Sequence, residues 1–407
     1  MFEKLYPSAF ACKRHRDGPF APERERYLLH CAEQGATYRT QRQRSGCLLW
    51  FAERMLPEDR DGIDSARLHA IIHAKPSPDP SVSYALMIIR HARPWLKFLN
   101  WWRKPFEPLP FEEDLDRFVS WMRDERGLSS CTINQWRDRT ATFLRWCGST
   151  GRELATLRPE DIDAYFATYG AQRWSRISVG YVVSMLRVFL RHAASKGVCS
   201  SRLADAMYGP RRYSLESLPS ALSWNDVRRV IASAGSNSER DVRDRAILML
   251  MAVYGLRRGE VAALRLDQID WKGRQLRILR LKRREPQSYP LVLSVAEALA
   301  RYIDTARPDV PYSEVFIRLQ APRVPMIAPS FYRIISDRVH ALNIKMVHCG
   351  PHALRHACAT RLLDQGLSIK EIGDHLGHRS TSATMIYTKV DLAALREVGD
   401  FDLGGVQ

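Results

Sequence analysis

Between residues 112 and 127 the chain reads EEDLDRFVSWMRDERG, and its apolar positions Leu115, Phe118, Val119 and Met122 recur at the spacing of one helical face. Gly127 closes that pattern, and Gly197 closes a second amphipathic stretch, SVGYVVSMLRVFLRHAASKG, over 178–197. No period-two alternation interrupts residues 106–204, so this segment is expected to be a small all-helical domain. Residues 1–105 are also helix-rich and basic, with YRTQRQR running into CLLWFAERM. They close in RPWLKFLNWWRKPFEPLP, whose prolines and tryptophans predict a linker packed against an apolar surface. GATYRTQRQRSGCLLWF (35–51) and GLSSCTINQWRDRTATF (127–143) share Gly35/Gly127, Thr40/Thr132, Gln43/Gln135 and Phe51/Phe143 at one constant offset. Each reads as a turn followed by a helix with an apolar back, so a duplication is one reading of the pair and chance the other.

Residues 205–217 begin the aperiodic stretch DAMYGPRRYSLESLPSAL and are expected to be an interdomain linker. A third domain is expected over 218–398. It opens at the N-cap candidate Ser223, continues through the apolar DRAILMLMAVYG and a glycine break, and includes a hairpin in QLRILRLKRREPQSYPLVLS. The fold class predicted is mainly α with a small β element. Residues 399–407 form a C-terminal tail, and the preceding Leu392 to Leu395 is apolar enough to dock on a neighbouring protomer or on its own domain.

Composition narrows the class. The 407 residues are 45% hydrophobic and 26% charged, the balance of a chain with a sizeable core. Lys and Arg number 62 against 45 Asp and Glu, a net charge of +17, which points to a polyanionic partner. The eight cysteines form no CxxC pair, the usage of a reduced intracellular protein. The N-terminus has no continuous apolar segment of a secretory signal. The longest apolar run, AILMLMAVYGL from Ala246, falls well short of the ~20 residues of a membrane span. A cytoplasmic nucleic-acid protein is the expectation.

Candidate chemistry concentrates in PHALRHACATRLLDQGLSIKEIGDHLGHRSTSATMIYTKV, residues 351–390, with four histidines, three arginines and one tyrosine. Pro351 suits the first position of a helix, with His352 in its first turn and Arg355 three residues on along the same face. Ser368 and Glu371 make a capping box for a helix that ends at Gly377, leaving His378 just beyond it. Tyr387 follows on a further short helix. Upstream, Arg257 and Arg258 start a helix after Gly255, and Lys282 sits near the hairpin tip. Tyr254 and Tyr302 are expected to be core tyrosines with satisfied hydroxyls. A zinc site is disfavoured: HALRH pairs His352 with His356 but lacks the glutamate of a H-E-x-x-H site, and an arginine on the ligand face repels a dication.

In order and spacing, YGLRRGEVAALRLDQID, LKRREPQSYPL, HALRHACAT and LGHRSTSATMIYT resemble the motifs of the tyrosine recombinases, the phage-integrase family. The resemblance covers about 218–398, and 110–204 looks like the family's core-binding, SAM-like domain. It implies two domains forming a C-shaped clamp on double-stranded DNA behind an extra helical N-terminal region used for DNA binding or assembly. Position by position it carries the catalytic set onto Arg257, Lys282, His352, Arg355, His378 and Tyr387. Tyr387 would be the nucleophile of a 3′-phosphotyrosyl intermediate, Lys282 the general acid, His352 a base or orienter, and His378 a donor to the phosphate. No cofactor, metal or ATP is implied, because the phosphotyrosine keeps the energy of the cleaved bond. A homotetramer, or a tetramer with related recombinases, on two DNA sites in the bacterial nucleoid is implied as well, acting in the integration, excision or transposition of a mobile element. Two departures stand out. The hairpin turn KRREPQSY lacks the usual flanking glycine, so Arg283 and Arg284 compete with Lys282 for register, and Lys389 stands where a histidine is common. A non-catalytic DNA-binding relative and a type IB topoisomerase-like relaxing enzyme are the alternative readings.

Overall fold

The structure is a computed structural model that describes residues 1–73, 82–103, 109–170, 174–211, 221–280, 285–346, 349–378 and Thr384. Its contacts divide the chain into two units, one of residues 104–216 and one of residues 1–103 together with 217–407. The N-terminal region holds α1 (Phe2–Leu5), α2 (Ala9–Asp17), α3 (Ala21–Glu33), α4 (Tyr38–Ala52), α5 (Ser65–Ile72) and α6 (Val82–Phe98). Its core gathers Tyr27, Leu48, Phe51, Ile88 and Trp95. The first residues of the stretch expected to be a linker, up to Phe98, are instead the end of a helix. α6 runs through Pro94 to Phe98, and Trp95 is wholly buried, because packing of that aromatic outweighs the one hydrogen bond a proline deletes. Within the same unit, Ala321 packs against this core, and Arg323 N–H donates to the Gln34 carbonyl at 3.3 Å.

The unit of residues 104–216 holds α7 (Glu112–Asp124), α8 (Ser130–Ser149), α9 (Pro159–Tyr165), α10 (Arg176–Ser195) and α11 (Arg202–Asp205). Its described residues form helices joined by turns, with no strand among them, as the periodicity predicts. Leu115, Phe118 and Met122 are buried on α7, whereas Val119 lies at the edge of the core, half-covered. Gly127 and Gly197 follow their helices with φ of +56° and +74°, the left-handed conformation that ends a helix at low cost when no Cβ is present.

The C-terminal part of the other unit begins with α12 (Trp224–Ala232), capped by Ser223, whose hydroxyl accepts from Asp226 N–H. Its centre is α13 (Glu239–Val253), where Ala246 through Leu250 are buried on all sides, as expected of an interior helix. EVAALRLDQIDW splits into α14 (Arg258–Ala262), a turn, and strand β1 (Ile269–Asp270). The antiparallel sheet continues through β2 (Gln275–Arg280) and β3 (Glu285–Pro290), with Leu276 opposite Tyr289 and Arg280 opposite Glu285. Then come α15 (Leu293–Thr305), α16 (Ser330–Ala341), α17 (Pro351–Asp364) and α18 (Ile369–Leu376). Tyr254 and Tyr302 are core residues. The Tyr254 hydroxyl donates to the Pro290 carbonyl at 2.8 Å, and the Tyr302 hydroxyl accepts from Ile317 N–H at 3.1 Å.

Candidate active site

The site is organised by the C-terminal end of α18. The last carbonyls of any helix lack intrahelical donors and carry the negative end of its dipole, so they attract cations. Here each is met by a different element. Gln287 on β3 donates from Nε2 to the Asp374 carbonyl at 2.9 Å. Arg280 on β2 donates to the His375 carbonyl at 2.7 Å, and Arg355 on α17 to the Leu376 carbonyl at 2.7 Å. Arg257, the N-cap residue of α14, donates to the Gly377 carbonyl at 3.1 Å. Three guanidiniums distant in sequence thus converge on three successive carbonyls.

Two glycines make this approach possible. Gly377 has φ of +64°, and a Cβ there would lie 2.7 Å from Arg280 Nε. Gly255 has φ of +60°, a Cβ there would lie 2.5 Å from a Leu376 methyl group, and its carbonyl accepts from Arg355 Nη1 at 2.6 Å. Both positions need the left-handed backbone and the missing side chain together. Ser368 and Glu371 close the other end of α18 as a reciprocal capping box, and Pro351 stands at N1 of α17 after Gly350, both as the sequence predicts.

Glu260 supplies the counter-charge. Its carboxylate accepts from Arg257 N–H and Arg257 Nη1, each at 2.8 Å, and from Arg280 Nη1 at 2.7 Å. Its side chain is 1% exposed and that of Arg280 2%. Arg280 also donates to Gln287 Oε1 and to the Tyr289 hydroxyl, which in turn donates to the His375 carbonyl. Glu260 and Arg280 were not singled out in the sequence, yet both left a signal. Glu260 stands three residues after Arg257, the spacing of a capping box. Arg280 extends the inward positions Leu276 and Ile278 of β2, so period-two alternation turns it into the core.

His378 follows Gly377 directly; its N–H donates to the Gly373 carbonyl at 2.9 Å, and its Nδ1 lies 2.7 Å from the Thr384 hydroxyl. Burial, reinforced by the cationic field of Arg355, Arg257 and Arg280, pushes its imidazole down to about 4. Burial and neighbouring cations likewise push His375 and His356 down to about 4, with His352 and Arg355 acting on His356. All three are therefore neutral at pH 7, each able to donate from one ring nitrogen and accept at the other. His352 is exposed on the first turn of α17, its ring 6.4 Å from that of His356. With Arg258, Tyr332 and His356 it lines a cavity of about 460 Å³.

Of the six residues expected at the site, the structure brings Arg257, Arg355 and His378 together at the end of α18 and places His352 one turn before Arg355. Lys282, with Arg283 and Arg284, and Tyr387, with Lys389 and the tail, lie outside the described residues. Among the described residues no group of three His, Cys, Asp or Glu side chains is placed to hold a metal. Chemically the arrangement is a fixed cluster of guanidiniums with one buried carboxylate, an environment that attracts an oxyanion.

Comparison with known proteins bears on the family and the fold. Residues 221–393 match the model of the phage integrase family, and residues 115–197 that of the phage integrase N-terminal SAM-like domain. The integrase/recombinase y4rA of Sinorhizobium fredii is 34% identical over 314 residues, spanning 76% of each chain. The tyrosine recombinase XerD of Lacticaseibacillus casei is 29% identical, across 67% of this chain and 92% of that one. In fold, the chain is similar to a λ integrase (75–356) dimer bound to a COC′ core site, with a TM-score of 0.55 and 18% identity over 73% of this chain and 99% of that one. It is also similar to XerH recombinase bound to difH after cleavage, with a TM-score of 0.56 and 14% identity over 88% of this chain and 96% of that one. The chain belongs to the phage integrase family, the tyrosine recombinases.

Proposed function

We propose that this protein is a site-specific DNA recombinase that cuts and rejoins strands through a covalent 3′-phosphotyrosyl intermediate. The observation that carries the reading is the convergence of Arg257, Arg355 and His378 at one helix end. A phosphodiester resists attack because its negative charge repels nucleophiles, and that charge spreads over the equatorial oxygens as the reaction proceeds. Two guanidiniums stabilise it with charge-assisted bonds, and neutral His378 adds a donor without drawing a proton from solvent. In the first step the Tyr387 oxygen attacks phosphorus. The Tyr–O–P bond forms as the P–O5′ bond breaks, the phenolic proton passes to His352 or to water, and Lys282 protonates the leaving 5′ oxygen. Attack by another strand's 5′ hydroxyl reverses these steps, so neither ATP nor metal enters the balance.

The substrate is duplex DNA, and the action is cytoplasmic, on the bacterial chromosome or a mobile element. Exchange between two sites requires four active sites, supplied by a tetramer of this chain or of this chain with relatives. The test uses suicide duplexes nicked so that the cleaved 5′ end diffuses away. Wild type is expected to form a denaturant-resistant protein–DNA adduct, and Tyr387→Phe to bind without one. An adduct of undiminished yield in the variant would falsify the assignment.

A further inference from the structure

Three helices of residues 1–103, α3, α4 and α6, repeat the design of α7, α8 and α10 in the helical unit. α3 and α7 are each entered through a phenylalanine in the left-handed conformation, Phe20 with φ of 54° and Phe111 with φ of 60°. Arg24, Tyr27 and Cys31 are buried on α3 at the spacing of Leu115, Phe118 and Met122 on α7. Both helices turn at a positive-φ glycine, Gly35 and Gly127. α4 and α8 then start on equivalent caps. The Thr37 hydroxyl accepts from Thr40 N–H at 3.3 Å, and the Ser129 hydroxyl from Thr132 N–H at 3.3 Å. Leu48, Phe51 and Ala52 are buried where Thr140, Phe143 and Leu144 are. Finally Ala85, Ile88, Ala92 and Trp95 on α6 match Val182, Met185, Phe189 and His192 on α10, every one buried. Four chance identities do not produce matching caps, turn and burial on three helices; a duplicated module does.

Retained burial shows a common fold, and divergence of the exposed face shows a distinct use. On α4, Arg39, Arg42, Gln43 and Gly46 are exposed and lie at i, i+3, i+4 and i+7, one stripe of the helix. Their counterparts on α8 are Cys131, Asn134, Gln135 and Asp138, also exposed but without a cation. No carboxylate occurs between Gln34 and Glu53. Gly46 is a separate indication. A glycine inside a helix is destabilising, and at Gly46 an added Cβ would meet nothing within 4 Å, so the packing of this chain does not require it. A gap in a cationic stripe is what close approach of another molecule's backbone requires.

We propose that residues 20–102 are a second copy of the core-binding module and that the Arg39–Arg42–Gln43–Gly46 stripe of α4 is an additional binding face for the phosphates of duplex DNA. The proposal takes its ligand from the recombinase reading. The α4 stripe supplies phosphate contacts beyond those of the cleavage site, lengthening the duplex the protein covers.

The test uses the full-length protein and a long duplex of arbitrary sequence, with binding followed by fluorescence anisotropy across a salt series. Arg39→Glu/Arg42→Glu removes two phosphate contacts, so binding weakens and the slope of log K against log salt is expected to flatten by about 1.8, at about 0.9 per contact. The control Lys4→Glu/Lys13→Glu reverses two exposed cations on α1 and α2 and should leave the slope near wild type. Arg39→Gln/Arg42→Gln repeats the measurement without charge reversal, should the first variant fold poorly. A slope that moves no more than the control's overturns the proposal. On a short suicide duplex the Arg39/Arg42 variants are expected to form adduct as wild type does, and parallel loss of adduct would overturn a separate face. If wild type itself forms no adduct, the recombinase reading fails while the salt series still decides the role of α4.

Discussion

Glu260→Gln removes a charge without changing shape, and its cost can be worked from the contacts. The carboxylate accepts three bonds, two from Arg257 and one from Arg280. The amide keeps one acceptor oxygen and turns an N–H₂ donor toward groups that are themselves donors. Arg280 is left 2% exposed with no buried anion beside it. Removing one partner of a buried pair costs about 3–5 kcal/mol because the other charge stays desolvated. At about 2–4 °C per kcal/mol for a domain of this size, Tm is expected to fall by roughly 6–20 °C. The assay is thermal and urea unfolding followed by circular dichroism, with Glu53→Gln as reference. The Glu53 partner, Arg14, is largely exposed, and pairs of that kind contribute about 0–1 kcal/mol. Adduct formation well below the lowered Tm should also drop, because Arg257 loses the carboxylate that holds both its backbone and its guanidinium. If Glu260→Gln unfolds no earlier than Glu53→Gln, Glu260 is not the counter-charge of this cluster.

Three further outcomes follow from the same contacts. His356, His375 and His378 have folded pKa values of about 4 against an ordinary 6.5, so between those values the unfolded chain binds more protons. Stability therefore falls as pH drops through that window, by on the order of 1 kcal/mol per histidine at pH 5.5, and a Tm that is flat from pH 7 to 5.5 would count against the buried neutral assignment. Gly377→Ala should cost more than Gly366→Ala. Both have positive φ, for which a Cβ costs about 1–2 kcal/mol, but only at Gly377 does it collide, with Arg280. Urea midpoints measure the difference, and only the Gly377 variant should lose adduct yield. DNA binding should be abolished by added salt while circular dichroism still reports a folded protein, since each phosphate contact releases counterions; affinity indifferent to salt would contradict binding through phosphates.

The legible parts of this chain were those where one local rule decides. The capping box at Ser368, the proline at N1 of α17 and the glycine stops after α7, α10 and α18 are short-range devices, and each appears where the sequence places it. Local rules failed where tertiary packing overrode them. Pro94 signals a linker, but a wholly buried Trp95 beside it keeps the helix intact. The repeat was faint for a related reason. Residue identity survives only at Gly, Thr, Gln and Phe, whereas burial survives at substituted positions such as Ala92 and Phe189, and a comparison of letters does not register it.

Arg280 explains why a site reads less clearly than a fold. In the letters it is one cation in LRLKRR, and a charge run there suggests a solvated hairpin. In the structure it is the most enclosed cation of the cluster, bonded to Glu260, Gln287, Tyr289 and the His375 carbonyl. It touches the same helix end as Arg257 and Arg355 and is held as well by Glu260, Gln287 and Tyr289, which suits a support rather than a group that meets substrate. Desolvated cations at this spacing repel one another, and one carboxylate does not offset them all. The carbonyls at the end of α18 supply the remaining negative potential as fixed dipoles. Because these dipoles carry no titratable group, the guanidiniums stay oriented across the pH range in which DNA is handled. A charged site held this way is preorganised before substrate arrives, and little reorganisation is left for the moment when charge builds on phosphorus.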